Sequence, residues 1–315
     1  MSSADRPATG VDQRIDSAVP QASAGFTYVQ ARDTDEAVQI KGRSGQSSRF
    51  WAGGTDLMLE WARRQRRFEV CIDISRIDDL RQIEVGDESV VIGACVTLDE
   101  LDRAGSRCEE LELLGAVARV MCTRQTRTLA TVGGNLANAS PAADLAAPLI
   151  ALDASARVLS AERPRTLPVA ELFLGPKRSA LRDDEILHSI SMPRRPRRGS
   201  AFGRIGRTQV DIALVSSACS IEVDEYGRIA SARAGLSSVA PTPIAVDLGP
   251  VLKGLSIDEL DLGALEAAGR LTVEAAAPID DLRSSAAYRR RMCGVLTRRA
   301  LGEAALRLSS AGRGA

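Results

Sequence analysis

The chain has 315 residues, of which 44% are hydrophobic and only 3% aromatic, so its core must be built mainly from Ala, Leu, Val and Ile. Lys and Arg together number 41, as do Asp and Glu, and this zero net charge argues against a dedicated nucleic-acid binder, which carries a basic surplus. The length fits two domains, and no apolar run reaches the roughly 20 residues that a membrane span needs.

The cysteine spacing argues against a metal site in this chain. The six cysteines include no C-x-x-C pair, the spacing that usually supplies two ligands to zinc or an iron–sulfur cluster. We interpret them as reduced thiols, and the single histidine, His188, as a packing residue. Residues 1–24 are rich in Ser, Ala, Asp and Pro without an apolar signal core, which predicts a disordered tail on a cytoplasmic protein.

Ordered structure is expected to begin at 26–29 and to lead into a glycine pair. Acidic residues at 33–36 open a helix, and a strand over 49–52 then enters Gly53-Gly54. Leu57 begins a helix that is predicted to end in four arginines, because cations suit a helix C-terminus by about 0.3–1 kcal/mol each. These arginines are Arg63, Arg64, Arg66 and Arg67.

The next stretch leads to a second glycine pair. Segments 80–85 and 90–94 flank a turn and predict a hairpin. Thr97 and Glu100 form a capping box at the start of a helix, and another helix is predicted over 111–121. The chain then reaches Gly133-Gly134. After it, Pro141 is predicted to open a helix through Leu152 with Asp144 in its first turn.

The segment over 193–199 is predicted to separate two domains, which span 25–195 and 199–310. Two prolines and a glycine within it favour a boundary. Its four arginines could contact nucleic acid, but a solvated linker is favoured. Beyond it the sequence predicts a hairpin around 224–227 and two helices, the last over 284–308. Strands and helices mix without regular alternation, which predicts an α+β fold.

The two glycine pairs form the candidate binding site. They lie in Ala52-Gly53-Gly54-Thr55-Asp56-Leu57 and Thr131-Val132-Gly133-Gly134-Asn135. Glycine lets a backbone approach an anion without a Cβ in the way, and exposed N–H groups in such turns attract anions. Two such turns predict a ligand with two phosphates, or one long ligand held twice. The alternative is a plain connection at each turn, with Asp56 as a helix N-cap and Asn135 bonded to a turn carbonyl.

Two common nucleotide-binding motifs do not occur in the sequence. A Rossmann unit would show G-x-G-x-x-G after its first strand, and the nearest stretch, 203–207, comes late and lacks the third glycine. A P-loop would need Gly-Lys-Ser or Gly-Lys-Thr. The ligand is therefore expected to be neither NAD in a Rossmann crevice nor ATP on a P-loop.

Six segments carry a family resemblance: the first glycine segment, the second one extended over 128–144, and segments 171–176, 184–187, 211–213 and 282–289. In this order they resemble the FAD-binding subunits of molybdenum hydroxylases, the family of xanthine dehydrogenases and aerobic-type carbon monoxide dehydrogenases. The resemblance covers roughly residues 25–308. It implies a PCMH-type FAD-binding domain of two α/β subdomains, followed by a smaller α+β domain of the CO dehydrogenase flavoprotein C-terminal type.

The resemblance also implies which residues bind FAD without a covalent bond. Asp144 would bond the ribose or adenine end, and Met121 stands where some xanthine oxidoreductases place an aromatic residue beside the isoalloxazine. Arg204 falls where many relatives have a lysine near the flavin, so it keeps the charge with a different geometry. Pro176 replaces a tyrosine of some relatives. The pyrophosphate would be held by the two loops, through Ala52, Gly53, Gly54, Thr55, Asp56, Leu57, Thr131, Gly133, Gly134 and Asn135.

The implied function is electron transfer. The chain would pass electrons from the [2Fe-2S] clusters of an iron–sulfur subunit, supplied by a molybdopterin subunit, to NAD, oxygen or a quinone. The implied assembly is a heterotrimer that is itself expected to dimerise, and no catalytic residue is assigned to this chain. Two other functions stay open. One is a stand-alone PCMH-type flavin oxidoreductase, such as the reductase that acts on UDP-N-acetylmuramate precursors. The other is a non-enzymatic scaffold or nucleotide-sensing module.

Overall fold

The computed structural model describes residues 25–208 and 210–311, and the predicted tail over 1–24 lies outside them. Within these residues the chain forms sheets of three, five and four strands and a small two-stranded ribbon, with helices packed around them. Helices and strands are mixed along the chain, which confirms the predicted α+β class. None of the helices in these ranges combines the length and hydrophobicity needed to cross a bilayer.

The first sheet is parallel and carries the first glycine loop. Its strands, in the order β1-β3-β2, are β1 (Thr27–Gln30), β2 (Ser48–Trp51) and β3 (Val70–Asp73). Helix α1 (Thr34–Ser44) connects β1 to β2, and the side chain of Asp33 caps it by accepting a hydrogen bond from the N–H of Glu36. Helix α2 (Leu57–Ala62) follows the loop at the carboxyl end of β2.

Helix α2 ends before the four arginines that the sequence places in its last turn. Arg64 has a φ of 58°, and the N–H groups of Arg64 and Gln65 bond to the carbonyls of Trp61 and Glu60. This left-handed end closes the helix after six residues, with an arginine where glycine is usual. The prediction of a basic last turn was therefore wrong. Arg66 instead turns back to pair with Glu60 at 2.9 Å.

The second sheet is antiparallel. Its strand order is β4-β5-β10-β6-β7. The elements of this region, in chain order, are β4 (Ile83–Val85), β5 (Ser89–Gly93), α3 (Leu98–Gly105), α4 (Glu112–Val120), α5 (Arg124–Arg127), α6 (Val132–Ala137), α7 (Ala146–Ala151), β6 (Ser155–Leu159), β7 (Arg165–Pro168), β8 (Phe173–Gly175), β9 (Arg178–Ser179) and β10 (Ile186–Pro193). Strands β8 and β9 form the two-stranded ribbon.

The predicted hairpin and capping box of this region are confirmed, but one predicted helix starts late and the second glycine pair lies inside α6 rather than in an open turn. Strands β4 and β5 pair as the expected hairpin, and Thr97 and Glu100 form the capping box of α3. The helix predicted from Pro141 begins only at Ala146. The residues before it form turns, in which the N–H of Ala143 bonds to the carbonyl of Ser140.

The third sheet begins after the second one, at Arg198. Its antiparallel strands follow chain order and are β11 (Arg198–Ile205), β12 (Val215–Val223), β13 (Ile229–Ser237) and β14 (Ile244–Asp247). Three helices follow, α8 (Gly249–Leu252), α9 (Leu262–Ala275) and α10 (Ala286–Ala311). The expected hairpin is present as β12–β13, with Gly227 at a φ of 76° in its turn.

The third sheet packs against α7 through small residues. A Cβ built on Gly235 would lie 2.0 Å from the carbonyl oxygen of Ala147, so only glycine allows this approach. Ser220 and Ser237 donate hydrogen bonds to the carbonyls of Ala151 and Ala143, at 2.6 and 3.0 Å. These contacts fix the segment that follows the second glycine loop against the sheet.

Candidate functional site

The two glycine loops lie side by side where the first and second sheets meet. A Cβ on Gly53 would lie 1.8 Å from the carbonyl oxygen of Leu129, and one on Gly133 would lie 2.5 Å from the Cβ of Ala94. Glycine is needed at both positions because another part of the chain's own backbone approaches there. The spacing of about eighty residues in sequence therefore becomes direct contact in the fold.

The first loop presents main-chain N–H groups that have no partner in the described part of the chain. The N–H groups of Gly53, Gly54, Thr55 and Asp56 donate no hydrogen bond there. Gly54 has a φ of 68°, and its α-carbon packs over the indole of Trp51. The Asp56 side chain precedes α2 without making a capping bond, so the N-cap alternative does not hold. The first loop is thus left with several free donors.

The second loop uses its own N–H groups within the fold. The N–H groups of Val132 and Gly133 bond to the carbonyls of Val96 and Ala94 at 2.9 and 2.8 Å. Thr131 caps α6 by accepting from the N–H of Gly134 at 3.0 Å. The side chain of Asn135 differs, because its Oδ1 is buried and makes no hydrogen bond in the described residues. A ligand at this loop would therefore meet the Asn135 amide rather than a row of free backbone donors.

A cavity of about 280 Å³ lies against both loops. It has an apolar wall that includes Phe50, Ile74 and Ile186, and polar side chains that include Arg49 and Glu60. Most of the predicted site residues line it, namely Ala52, Gly53, Gly54, Thr55, Asp56, Leu57, Met121, Thr131, Gly133, Gly134 and Asn135. Met121 is only 4% exposed.

Asp144 and Arg204 are not among the residues that line this cavity. They form a buried ion pair with each other, with Nε of Arg204 at 3.2 and 3.3 Å from the two carboxylate oxygens. Both side chains are 9% exposed. Burial raises the pKa of Asp144, and the nearby Arg204 charge opposes that rise. Arg204 also donates to the carbonyl of Asp211. The contacts of Asp144 and Arg204 with FAD remain a prediction.

Several cavity residues were missed by sequence reasoning. Glu185 is 4% exposed and is held by Arg165 through two bonds of 2.6 and 2.7 Å. Burial alone would raise the pKa of Glu185, but the bonds from Arg165 and from the N–H of Arg182 lower it below its ordinary value. Arg49 and Asn138 are also in the cavity wall. Arg49 and Asn138 lie close to the glycine segments in the sequence, and this proximity could have identified them as site residues.

Comparison with known proteins gives the family. Residues 24–195 match the family described as "FAD binding domain in molybdopterin dehydrogenase", and residues 200–304 match "CO dehydrogenase flavoprotein C-terminal domain". The chain belongs to the FAD-binding subunits of molybdopterin dehydrogenases. The predicted family and its cofactor, FAD, are thereby confirmed.

Curated relatives and solved structures agree with this family. The carbon monoxide dehydrogenase medium chain of Afipia carboxidovorans is 30% identical over 90% of this chain and 97% of that one. The 6-hydroxypseudooxynicotine dehydrogenase complex subunit alpha of Paenarthrobacter nicotinovorans is 28% identical over 89% and 94%. A structure of carbon monoxide dehydrogenase from Hydrogenophaga pseudoflava, in a form lacking the Mo-pyranopterin moiety, matches with a TM-score of 0.83 at 30% identity, over 90% and 98%.

The residues around the cavity fit FAD chemically. The free N–H groups of residues 53–56 suit phosphate oxygens, which accept hydrogen bonds. The unpartnered Oδ1 of Asn135 suits a hydroxyl or N–H donor of a nucleotide or flavin. The apolar wall suits a flat ring system. Among the described residues, no group of three or more His, Cys, Asp or Glu is placed to hold a metal ion.

Proposed function

We propose that this chain is the subunit through which a molybdenum hydroxylase complex passes electrons from the [2Fe-2S] clusters of a partner to NAD, oxygen or a quinone. One observation carries the proposal: a single cavity is lined by four residues whose main-chain N–H groups are unpartnered in the described part of the chain, and by Asn135, whose amide oxygen is also unpartnered there. Bound FAD supplies the electron chemistry, and the protein supplies binding and orientation.

The first loop would hold the phosphates. Its N–H groups would be available to donate to pyrophosphate oxygens, because none of them has another partner within the described residues. On the second loop, Asn135 would accept a hydrogen bond from the nucleotide or flavin. The contact between Gly53 and Leu129 keeps both loops close enough for one ligand to touch both.

The cavity wall would bind the rings without a covalent bond. Met121 and Ile186 exclude water from one side, and two cysteines, Cys95 and Cys122, also line the cavity. Burial raises the pKa of both thiols, so they stay protonated at neutral pH and are poor nucleophiles. Non-covalent binding follows from this chemistry.

The relatives support a partnered role. One is named a medium chain and another a subunit of a dehydrogenase complex. We therefore propose that this chain assembles with an iron–sulfur subunit and a molybdopterin subunit. Among the described residues that line the cavity we find no paired nucleophile and base, so substrate chemistry would belong to a partner.

Reconstitution tests both parts of the proposal. The purified chain, incubated with FAD and desalted, should be yellow, and acid precipitation should release the flavin into solution. Co-expression with candidate partner chains should yield a complex in which substrate bleaches the flavin, whereas the isolated flavoprotein should not respond to substrate. A colourless chain after reconstitution would contradict FAD binding. Full substrate turnover by the isolated chain would instead indicate a stand-alone oxidoreductase.

A further inference from the structure

Lys177 connects three separate segments around the cavity. Its Nζ lies 2.8 Å from Oε1 of Glu60 and 2.7 Å from Oδ1 of Asn138. Its backbone N–H also donates to the carbonyl of Ala139 at 2.9 Å. Glu60 belongs to α2, which follows the first glycine loop, and Asn138 ends α6, which begins in the second. One side chain thus connects the helix that follows the first glycine loop to the helix that begins in the second.

The backbone holds Lys177 in a defined position. Lys177 lies in the turn between β8 and β9 with a φ of 60°, and Ala139, its backbone partner, has a φ of 48°. Both are non-glycine residues in the left-handed region, which is sparsely populated and persists where surrounding contacts impose it. The turn is therefore ordered by its contact with the second loop.

The bridge also changes the charge at the cavity. Glu60 lines the cavity, and its carboxylate would repel a bound diphosphate if it had no cationic partner. Lys177 and Arg66 both pair with it, at 2.8 and 2.9 Å. Lys177 itself is not among the lining residues, so any effect on a ligand passes through Glu60 and Asn138.

We propose that Lys177 is a positioning residue that holds Glu60 and Asn138 in place beside the two glycine loops and thereby sets the affinity for FAD. This inference rests on the proposed function, because FAD is its ligand. The two helices keep their own packing when the bridge is removed, so the chain should still fold. Without the bridge, Glu60 loses one cationic partner and the Asn138 side chain loses its donor, so both must be ordered when FAD binds and part of its binding free energy would be lost.

Three variants isolate this role, with FAD affinity measured by the quenching of flavin fluorescence on FAD-free protein. Lys177→Met removes the bridge, and Lys177→Arg keeps a cation of similar reach. Lys253→Met is the matched control, because Lys253 is exposed beyond α8. We expect Lys177→Met to raise the Kd for FAD by up to about fivefold, because the Lys177 side chain is 46% exposed and exposed ion pairs contribute little. Lys177→Arg should recover most of the affinity, and Lys253→Met should match the wild type.

Thermal unfolding of the FAD-free variants separates positioning from plain stability. Lys177→Met should melt at the wild-type temperature. The proposal is overturned if Lys177→Met binds FAD as tightly as the wild type, if Lys177→Arg is as weak as Lys177→Met, or if melting temperature and affinity fall together. If the wild-type chain itself takes up no FAD, the proposed function fails before Lys177 is tested.

Discussion

At the scale of single residues, the glycines of the two pairs serve different purposes. Gly53 and Gly133 are small because the chain's own backbone approaches them, and Gly54 is needed for its left-handed φ of 68°. Gly134 is exposed, and a Cβ on it would crowd only the Thr131 hydroxyl, at 2.8 Å. The sequence interpretation, in which each missing Cβ clears a path for a ligand, applies best to Gly134.

Gly53→Ala tests whether the contact between the loops supports binding. The added Cβ would meet the Leu129 carbonyl at 1.8 Å, so the loops must separate. We expect a loss of about 1–3 kcal/mol in the free energy of unfolding, as for other overpacked sites, together with weaker FAD binding. Gly302→Ala is the control, because nothing lies within 4 Å of a Cβ at that helical position. Wild-type stability and FAD content in Gly53→Ala would contradict the close contact.

Asn135→Leu tests whether the buried amide contacts FAD. Unlike Gly53→Ala, it should weaken FAD binding without lowering stability. Its Oδ1 has no hydrogen-bond partner in the described residues, and an unpaired buried acceptor costs about 1–3 kcal/mol. Leucine has a similar size and no polar atom. We therefore expect the FAD-free variant to melt at or above the wild-type temperature while its Kd for FAD rises about tenfold. Unaltered affinity for FAD would show that the amide does not contact the ligand.

Sequence reasoning identified these residues, but it did not show which part of the molecule each of them faces. The glycine pairs and Asn135 are visible as a motif, and the structure brings them to one cavity. Which backbone a missing Cβ faces depends on contacts such as that between Gly53 and Leu129, which are far apart in the chain. No local pattern contains that information.

At the scale of elements, α1 ends in a buried lysine that joins it to β2. The Nζ of Lys41 donates to the carbonyls of Gly45 and Ser48 at 2.8 and 2.9 Å, and Lys41 is 5% exposed. Burial lowers the pKa of Lys41 from 10.5 to about 8, with a smaller contribution from the charge of Arg49. The bonds to carbonyls hold the ammonium in place, whereas burial disfavours its charge.

This lysine predicts a defined pH dependence. Between pH 8 and 10.5 the unfolded chain keeps a proton on Lys41 that the folded chain has lost, so Lys41 makes stability rise with pH in that window. Lys41→Met cannot titrate there. The difference in unfolding free energy, wild type minus Lys41→Met, should therefore increase from pH 8 to pH 10.5 and be flat below pH 8. Urea unfolding of both proteins across this range measures it, and a constant difference would refute the shifted pKa.

Element boundaries were predictable where a local signal set them. The capping box of Thr97 and Glu100 starts α3 as expected, because both partners lie within one turn. The predicted start of a later helix, at Pro141, was wrong, because this helix begins at Ala146. Asp144 does not stabilise a first turn there, because its carboxylate is bonded to Arg204, sixty residues away. The long-range contact with Arg204 therefore outweighs the preference of an acidic residue for the first turn of a helix, which is all that local sequence shows.

At the scale of the whole molecule, the segment that follows the second glycine loop packs directly on the third sheet. Residues 140–151, which follow the second glycine loop, pack on β12 and β13 through Gly235, Ser220 and Ser237. The Asp144–Arg204 pair crosses the same junction. The order of the two regions was visible in the sequence, but this junction was not, because small residues that allow close packing carry no distinctive pattern.

Variants of the Asp144–Arg204 ion pair test whether it only stabilises this junction or also contacts FAD. Asp144→Leu removes the carboxylate beside the buried Arg204 guanidinium and should lower the free energy of unfolding by about 3–5 kcal/mol. The double variant Asp144→Leu/Arg204→Met replaces the pair by apolar side chains and should regain most of that loss in urea unfolding. If both residues also contact FAD, as the resemblance to flavin subunits implies, the stable double variant should bind FAD at least about tenfold more weakly. Wild-type FAD affinity in a stable double variant would contradict those contacts, and the pair would then serve only to join the two halves of the molecule.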